Sequence, residues 1–259
     1  MNPTVVSAPA LLSGCTVISL RPAVQQAAVR RLVLRAGGGF IGLPGMRLSA
    51  MDDSEYALES LRGALRCGAV IFTSPAAVRY ANALLPLASN RPTQTFAIGE
   101  GTARALRRHG IAAIAPTGAN MHGEGVLALP QVRALRESVG LVTAPGGRES
   151  IAPELQRRGL AVHIAHVYRR LPPRPQTRSL LALRQSTLPR AVLISSAEAI
   201  THLSQVLAPQ DFALLRESIA IASSPRLEAL ARELGFARVL RAENPAPERM
   251  LQTLAISLP

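Results

Sequence analysis

Ala69-Val70-Ile71-Phe72-Thr73-Ser74-Pro75 and Ala191-Val192-Leu193-Ile194-Ser195-Ser196 are two copies of one local device. Each is an apolar run of strand length that ends in hydroxyl residues suited to cap a helix. Pro75 fits the first helical position, where its missing N–H costs nothing. The same order recurs along the chain. Val17-Ile18-Ser19-Leu20 precedes Arg21-Pro22, and Phe96-Ala97-Ile98 precedes Gly99-Glu100-Gly101-Thr102. Leu141-Val142-Thr143 precedes Gly146-Gly147-Arg148, and Ile219-Ala220-Ile221 precedes Ser223-Ser224-Pro225. Helices are expected to stop at Gly110, Gly159 and Gly235, because glycine tolerates the left-handed cap conformation. Short buried strands alternating with helices predict an α/β protein with largely parallel sheets.

The copies are spaced regularly. Ala97-Ile98 echoes Ala220-Ile221, and Ala105-Leu106 before Gly110 echoes Ala229-Leu230 before Gly235. All pairs lie roughly 120–125 positions apart, as two related α/β halves would. Two stretches read as connections. One is Gly37-Gly38-Gly39-Phe40-Ile41-Gly42-Leu43-Pro44; the other is Arg169-Arg170-Leu171-Pro172-Pro173-Arg174-Pro175. Paired prolines resist both helix and central strand, so 172–178 is expected to be extended. Two crossovers between two lobes imply a discontinuous domain and a ligand cleft beside the hinge.

Composition narrows the chemistry. The chain has 259 residues, 48% hydrophobic and 17% charged, which is enough apolar material for a real core. All 29 basic residues are Arg. Without lysine there is no Schiff base, no phosphate-loop lysine and no kinase-type strand lysine. A formal net charge of +13 favours an anionic ligand. The 3% aromatic content, with no Trp, disfavours stacking of single-stranded bases. Cys15 and Cys67 have no metal-type spacing and suggest no disulfide framework, so a reducing cytoplasm is expected. Leu12-Ser13-Gly14-Cys15 resembles a lipoprotein box, but no positive segment precedes it and Pro3 and Pro9 interrupt the apolar run. The expectation is a frayed tail leading into a first strand at Thr16–Leu20. No apolar stretch of 18 or more suggests a spanning helix.

The strand-to-helix junctions are the strongest functional signal. Ser74, Ser196 and Ser224 are expected caps. Helix starts present unpaired N–H groups and the positive end of the dipole, and in open parallel sheets they gather where ligands bind. Several around one cleft, with the Arg excess, point to a polycarboxylate or phosphate ligand. Other motifs lead nowhere. Gly37-x-Gly39-x-x-Gly42 matches the dinucleotide pattern but follows a helix, so it reads as a flexible turn. His163 and His166 sit three apart on an expected strand, Val162–Tyr168, and so face opposite ways; no metal is expected. Arg104, Arg107 and Arg108 read as a solvated face. Only three Asp occur (Asp52, Asp53 and Asp211), none at a strand end, against paired-carboxylate chemistry.

These residues resemble a known family. Val70 through Arg79, "VIFTSPAAVR", is similar to the IFTSxxAV segment of uroporphyrinogen-III synthases. Ala97 through Ala103 is similar to their AxGxxTA segment. Gly147-Arg148-Glu149 through Gly159, then Val167-Tyr168-Arg169, resembles their GGRxxLxxxLxxxGxxVxxxxVY stretch. Ser19-Leu20-Arg21-Pro22 resembles their opening TRP. The resemblance implies two similar parallel-sheet α/β domains joined by a two-stranded linker, with the substrate in the cleft between them. It maps them to 1–38 with 172–259, and 41–168. It implies cyclisation of hydroxymethylbilane to uroporphyrinogen III, with ring D inverted and water lost, and with no cofactor or metal. By the family pattern Tyr168 is the expected proton donor. Arg21, Thr73, Ser74, Gly99, Thr102, Arg148, Ser195, Ser196, Ser224 and Arg226 are expected to hold the substrate, largely through backbone N–H groups. The second-half loop Ala222-Ser223-Ser224-Pro225-Arg226 departs from the GxxT found there, and Ser19 replaces the opening threonine.

The physics of that substrate suits the composition: eight carboxylates match a crevice of helix N-termini and arginines. The expected partner is thus a small-molecule polycarboxylate, with no nucleic acid or membrane, acted on by a cytoplasmic monomer. The principal alternative is a non-catalytic two-lobed anion- or tetrapyrrole-binding (regulatory) module. A nucleic-acid binder would need a basic arm, aromatic platform or helix-turn-helix signal, and none is present.

Overall fold

The structure is a computed structural model that describes residues 11–87, 94–117, 123–146, 151–186 and 189–258. The chain divides into two units, Met1–Arg47 with Leu171–Pro259, and Leu48–Arg170. It begins in the first with β1 (Thr16–Ser19), α1 (Ala23–Arg35) and β2 (Gly39–Gly42), and leaves it through β3 (Arg47–Ala50). The second unit contains α2 (Ser54–Leu65), β4 (Ala69–Phe72), α3 (Pro75–Leu84), β5 (Gln94–Ala97), α4 (Glu100–Arg107), α5 (Gly123–Ala128), α6 (Pro130–Arg133), β6 (Ser138–Thr143), α7 (Ile151–Arg157) and β7 (Ala161–His166). The return strand β8 (Tyr168–Leu171) leads back to α8 (Thr177–Gln185), β9 (Arg190–Ile194), α9 (Ala197–Val206), α10 (Pro209–Arg216), β10 (Ile219–Ala222), α11 (Pro225–Glu233), β11 (Val239–Arg241) and α12 (Pro247–Ser257). Strands β3 and β8 pair with each other as a two-stranded sheet, and both unit boundaries fall inside them. The expected two-stranded linker is therefore present.

Each unit has one all-parallel sheet. The first unit's strands run in the order β11-β10-β9-β1-β2, and the second's in the order β5-β4-β6-β7. A single parallel bridge, Phe96 to Ile114, adds a vestigial fifth strand beside β5. Ala97 N–H donates to Ile114 O and Ile114 N–H to Thr95 O, both at 2.9 Å. Read from the opposite edge, the second unit becomes β7-β6-β4-β5-Ile114, which matches β2-β1-β9-β10-β11 position for position. The two sheets share one arrangement with the point of chain entry moved. The sequence echo of β4 with β9, and of β5 with β10, is thus an echo of structure.

Apolar strands buried on both faces are what parallel sheets require. β1, β4 and β10 are buried throughout. Helix α2 shows how closely the layers meet. It buries Ala57, Leu61, Ala64 and Leu65, and it crosses β6 at Gly140. A Cβ on Gly140 would stand 2.2 Å from Ala64 O, so only glycine admits the helix there. Glycines also close the helices: Gly110, Gly159 and Gly235 have φ of 72°, 83° and 86°, as expected of left-handed caps.

Three local expectations change. The glycine run after α1 is no flexible connection. Gly37, at φ 78°, caps α1, and Gly38 N–H returns to Val33 O at 3.0 Å. From Gly39 the chain is the edge strand β2. Gly39 lies opposite Thr16, whose Oγ1 would be 2.7 Å from an added Cβ, so a glycine-rich sequence serves close approach here. The segment ahead of β1 is no frayed tail over the described residues: Leu12 and Cys15 are buried in the core. Burial pushes the Cys15 thiol up to about 11, which keeps it protonated and inert. Finally, the strand expected at Val162–Tyr168 ends at His166. Val167 N–H still reaches Thr143 O at 3.1 Å, and from Tyr168 the chain pairs with β3 instead.

Candidate functional site

A parallel sheet offers a crevice where neighbouring strands send their connections to opposite sides. In the first unit that point lies between β1, which leads through α1 to β2, and β9, which leads towards β10. In the second it lies between β4 and β6 for the same reason. The turns after β1, β9, β4 and β6 hold Arg21, Ser195 with Ser196, Thr73 with Ser74, and the Gly146 turn. Sequence order alone places them at these points.

The first unit's crevice is open. A hollow of about 210 Å³ is lined by Leu20, Arg21, Pro22, Gln25, Met46, Ser195, Ser196 and Ala199. Three of the expected substrate-binding residues, Arg21, Ser195 and Ser196, therefore share one cavity. Ser196 caps α9, its Oγ accepting Ala199 N–H at 3.3 Å. The Arg21 guanidinium is held by Gln25 Oε1 and by Pro245 O. Burial lowers its pKa, and nearby Glu248 opposes that shift; it stays cationic at neutral pH. Gln26, which sequence reasoning missed, fixes the β1–α1 corner: its Nε2 donates to Ser19 O at 3.0 Å and Arg21 O at 2.6 Å. Ser19 Oγ, Arg21 Nε and Gln26 Oε1 are buried polar atoms without a hydrogen-bond partner among the described residues. Such atoms are costly in a core, so their concentration at one corner beside a cavity marks a place built to meet a polar partner. The loop that brings Met46 to the cavity wall presses against α9. A Cβ on Gly45 would sit 2.4 Å from Ala199 O.

The second unit's crevice carries hydroxyls and a phenol. Thr73 Oγ1 meets Thr143 Oγ1 at 2.9 Å and Val142 O at 3.2 Å, and Thr73 N–H donates to Val142 O at 3.1 Å. Both Thr73 donors thus brace β4 against β6. Ser74 caps α3, accepting Ala77 N–H at 3.0 Å, and the same Oγ lies 3.1 Å from Tyr168 Oη. Tyr168 is 7% exposed, and its ring stacks on Tyr80 with centroids 5.4 Å apart and planes 10° from parallel. Arg79 lies over the Tyr80 ring, its Cζ 4.7 Å from the centroid. Neither Arg79 nor Tyr80 is among the site residues expected from sequence; the available signal is an Arg-Tyr pair in the second turn of a helix that a serine caps. Next along β8, the Arg169 guanidinium forks onto the Asp52 carboxylate. His166, opposite Thr143 in the ladder, has its pKa lowered by burial and is neutral at pH 7.

The remaining expected residues stand nearby or apart. Gly99, with extended backbone, caps α4; Thr102 is buried in its first turn. Gly101 faces Pro75 across the helix starts, an added Cβ lying 3.8 Å from its Cγ. Ser224 caps α11, accepting Leu227 N–H at 3.3 Å, and Arg226 is exposed on that helix. They follow β10, one strand away from the crevice, and do not line the hollow. Arg148 lies outside the described residues. Arg104, Arg107 and Arg108 are exposed as expected, Arg107 pairing with Glu100. No group of three His, Cys, Asp or Glu able to hold a metal ion occurs among the described residues. No helix among them is long and apolar enough to cross a membrane.

Comparison with known proteins agrees with this architecture. A family model described as uroporphyrinogen-III synthase HemD matches residues 27–252. Among solved structures, a mutant uroporphyrinogen III synthase from Thermus thermophilus superposes with a TM-score of 0.58 at 22% identity, over 94% of this chain and 99% of that one. The uroporphyrinogen-III synthetase of Helicobacter pylori superposes with a TM-score of 0.61 at 16% identity, again over 94% and 99% of the two chains. At such identities the superpositions speak for the two-domain α/β fold. The family match covers every strand from β2 to β11 and both hydroxyl turns, and starts just after the Arg21 corner. Taken with the paired sheets, it means that this chain belongs to the uroporphyrinogen-III synthase family.

Proposed function

We propose that this member of the uroporphyrinogen-III synthase family closes hydroxymethylbilane to uroporphyrinogen III with Tyr168 as the proton donor and the first unit's Arg21 corner as a carboxylate grip. The observation that carries the reading is the Tyr168–Ser74 contact at 3.1 Å. Ser74 Oγ already accepts the Ala77 N–H, so its own proton is free to be given to Tyr168 Oη. The phenol proton is then free to go to the substrate's hydroxymethyl oxygen. As that proton transfers, the carbon–oxygen bond breaks and water leaves. The Ser74 hydroxyl stays as a donor to the phenolate that remains.

The freed carbon is attacked by the substituted carbon of ring D, which gives a spiro intermediate and, after rearrangement, the inverted ring. A proton lost as the macrocycle forms balances the one donated. Choosing which ring D carbon attacks is a problem of orientation, and holding the substrate's acidic side chains is how a protein solves it. Arg21 with its unpartnered Nε–H, the N–H groups at the Ser195–Ser196 turn and the Ser19 hydroxyl suit carboxylates. Gly99, Thr102, Arg148 and the Ser74 backbone N–H would take others. Thr73 would act by bracing its turn, and Ser224 and Arg226 from the margin. We place the protein in the cytoplasm as a monomer, its two domains divided within the paired strands β3 and β8.

The test is incubation of purified protein with freshly generated hydroxymethylbilane, followed by separation of the isomers. The type III isomer is the expected product. Type I alone, formed at the spontaneous rate while the protein retains the ligand, would favour the binding-module reading.

A further inference from the structure

We infer that Tyr80 is a positioning residue for the Tyr168 phenol, a role that rests on Tyr168 being the proton donor. One helix supplies two directional contacts to Tyr168. The N-cap of α3 supplies Ser74 Oγ to the phenol oxygen at 3.1 Å, and the body of the same helix supplies the Tyr80 ring to its face. Tyr168 itself stands on β8, at the point where the chain leaves the sheet ladder and turns to pair with β3. A tyrosine at such a turn has two soft side-chain angles. A hydrogen bond holds its oxygen at one distance but leaves the ring free to swing about that contact. A parallel ring at 5.4 Å, only 10° from coplanar, removes that freedom.

Tyr80 is held in turn. It is half-buried against the second unit's core, and the Arg79 guanidinium rides on its ring. The column Arg79–Tyr80–Tyr168 therefore begins at an exposed cation and ends at the buried phenol. The contact that matters is the Tyr80 ring face, not its hydroxyl. Phenylalanine should replace it, whereas alanine or leucine should not.

The test uses the full chain and isomer-resolved steady-state rates. Tyr80→Ala is expected to lower kcat for type III formation by about three- to tenfold, the size of an aromatic pair, with KM changed less than about twofold. Tyr80→Leu keeps much of the apolar volume and should behave as Tyr80→Ala does, which covers the case in which the alanine variant fails to fold. Tyr80→Phe should retain the wild-type rate. In a Tyr168→Phe background, Tyr80→Ala should cost nothing further, because it acts only through the phenol. Wild-type kcat in Tyr80→Leu would overturn the inference. So would an equal loss in both backgrounds, or a Tyr80→Phe variant as slow as the alanine one. If Tyr168→Phe is itself as fast as wild type, the underlying assignment of the donor fails; if Tyr168→Phe is slow while Tyr80→Leu is not, only the positioning role fails.

Discussion

The two sheets run their strands in the same order, yet their crevices are furnished differently. In the first unit, the point between β1 and β9 opens into a hollow with Arg21 at its wall, and the β1–α1 corner there holds three polar atoms unpartnered among the described residues. In the second, the point between β4 and β6 is tied across by two threonine hydroxyls and leads to a serine–tyrosine contact. The shared topology supplies two equivalent places, and in the function we propose the side chains of one grip charge and those of the other move a proton. Tightness follows the same division. Among the described glycines, the second unit lets α2 touch β6 directly at Gly140, whereas the first unit's closest approach, at Gly45, brings a loop against α9.

Substitutions at these glycines should break the contrast most visibly. Gly140→Val places carbon atoms where Ala64 backbone already stands, and should destabilise the second unit by on the order of 3 kcal/mol or more. Loss of cooperative unfolding, followed by circular dichroism, is the expected result; a wild-type transition would show that α2 can lift off. Gly45→Val should be milder for the fold, because a loop can retreat from Ala199, but should deform the hollow. Its expected mark is weaker substrate binding with an almost normal melting curve.

The corner itself should respond to Gln26→Ala. Two hydrogen bonds to the Ser19 and Arg21 carbonyls are lost, and KM should rise by roughly three- to tenfold while kcat holds. A fall in kcat alone would move Gln26 out of the grip. The smallest effect concerns neither crevice. Asp211 on α10 is 1% exposed and takes two hydrogen bonds from Arg184 on α8, at 2.6 and 2.7 Å. These bonds hold its carboxyl below the ordinary carboxylate range. Its contribution is therefore full above the unfolded-state value, and fades as pH drops through the depressed one. Asp211→Asn should lower the thermal midpoint by roughly 3–8 °C at pH 7, with the gap from wild type closing in strong acid. A gap that grows in acid would contradict the pairing.

Much of this contrast was legible in the residues, and the remainder was hidden for physical reasons. Strand-to-helix junctions were readable because Ser74, Ser196 and Ser224 obey local capping rules that need no tertiary knowledge. The duplicated halves could be read because β4 and β9 must satisfy the same buried environment. By contrast, β2 was misread because glycines that serve close approach to Thr16 look like glycines that serve flexibility. The break at Val167 was invisible because Tyr168 is as good a strand residue in one sheet as in the other. The roles of Tyr80 and Thr143 were hidden because they are contacts between elements distant in sequence, and that of Gln26 because its side chain folds back onto the carbonyls of Ser19 and Arg21, which spacing cannot reveal. Thr73 could be marked as important, but only its neighbours across the sheet show that its donors are spent on holding β4 to β6.

The division between gripping and proton transfer is tested most directly by titrating hydroxymethylbilane against Arg21→Ala and Tyr168→Phe side by side, with type III formation as the readout. Arg21→Ala should raise KM by about tenfold or more and leave kcat within a few-fold of wild type. Tyr168→Phe should lower kcat by at least about tenfold with KM almost unchanged. The reverse pattern, or a Tyr168→Phe variant that turns over at the wild-type rate, would contradict the account.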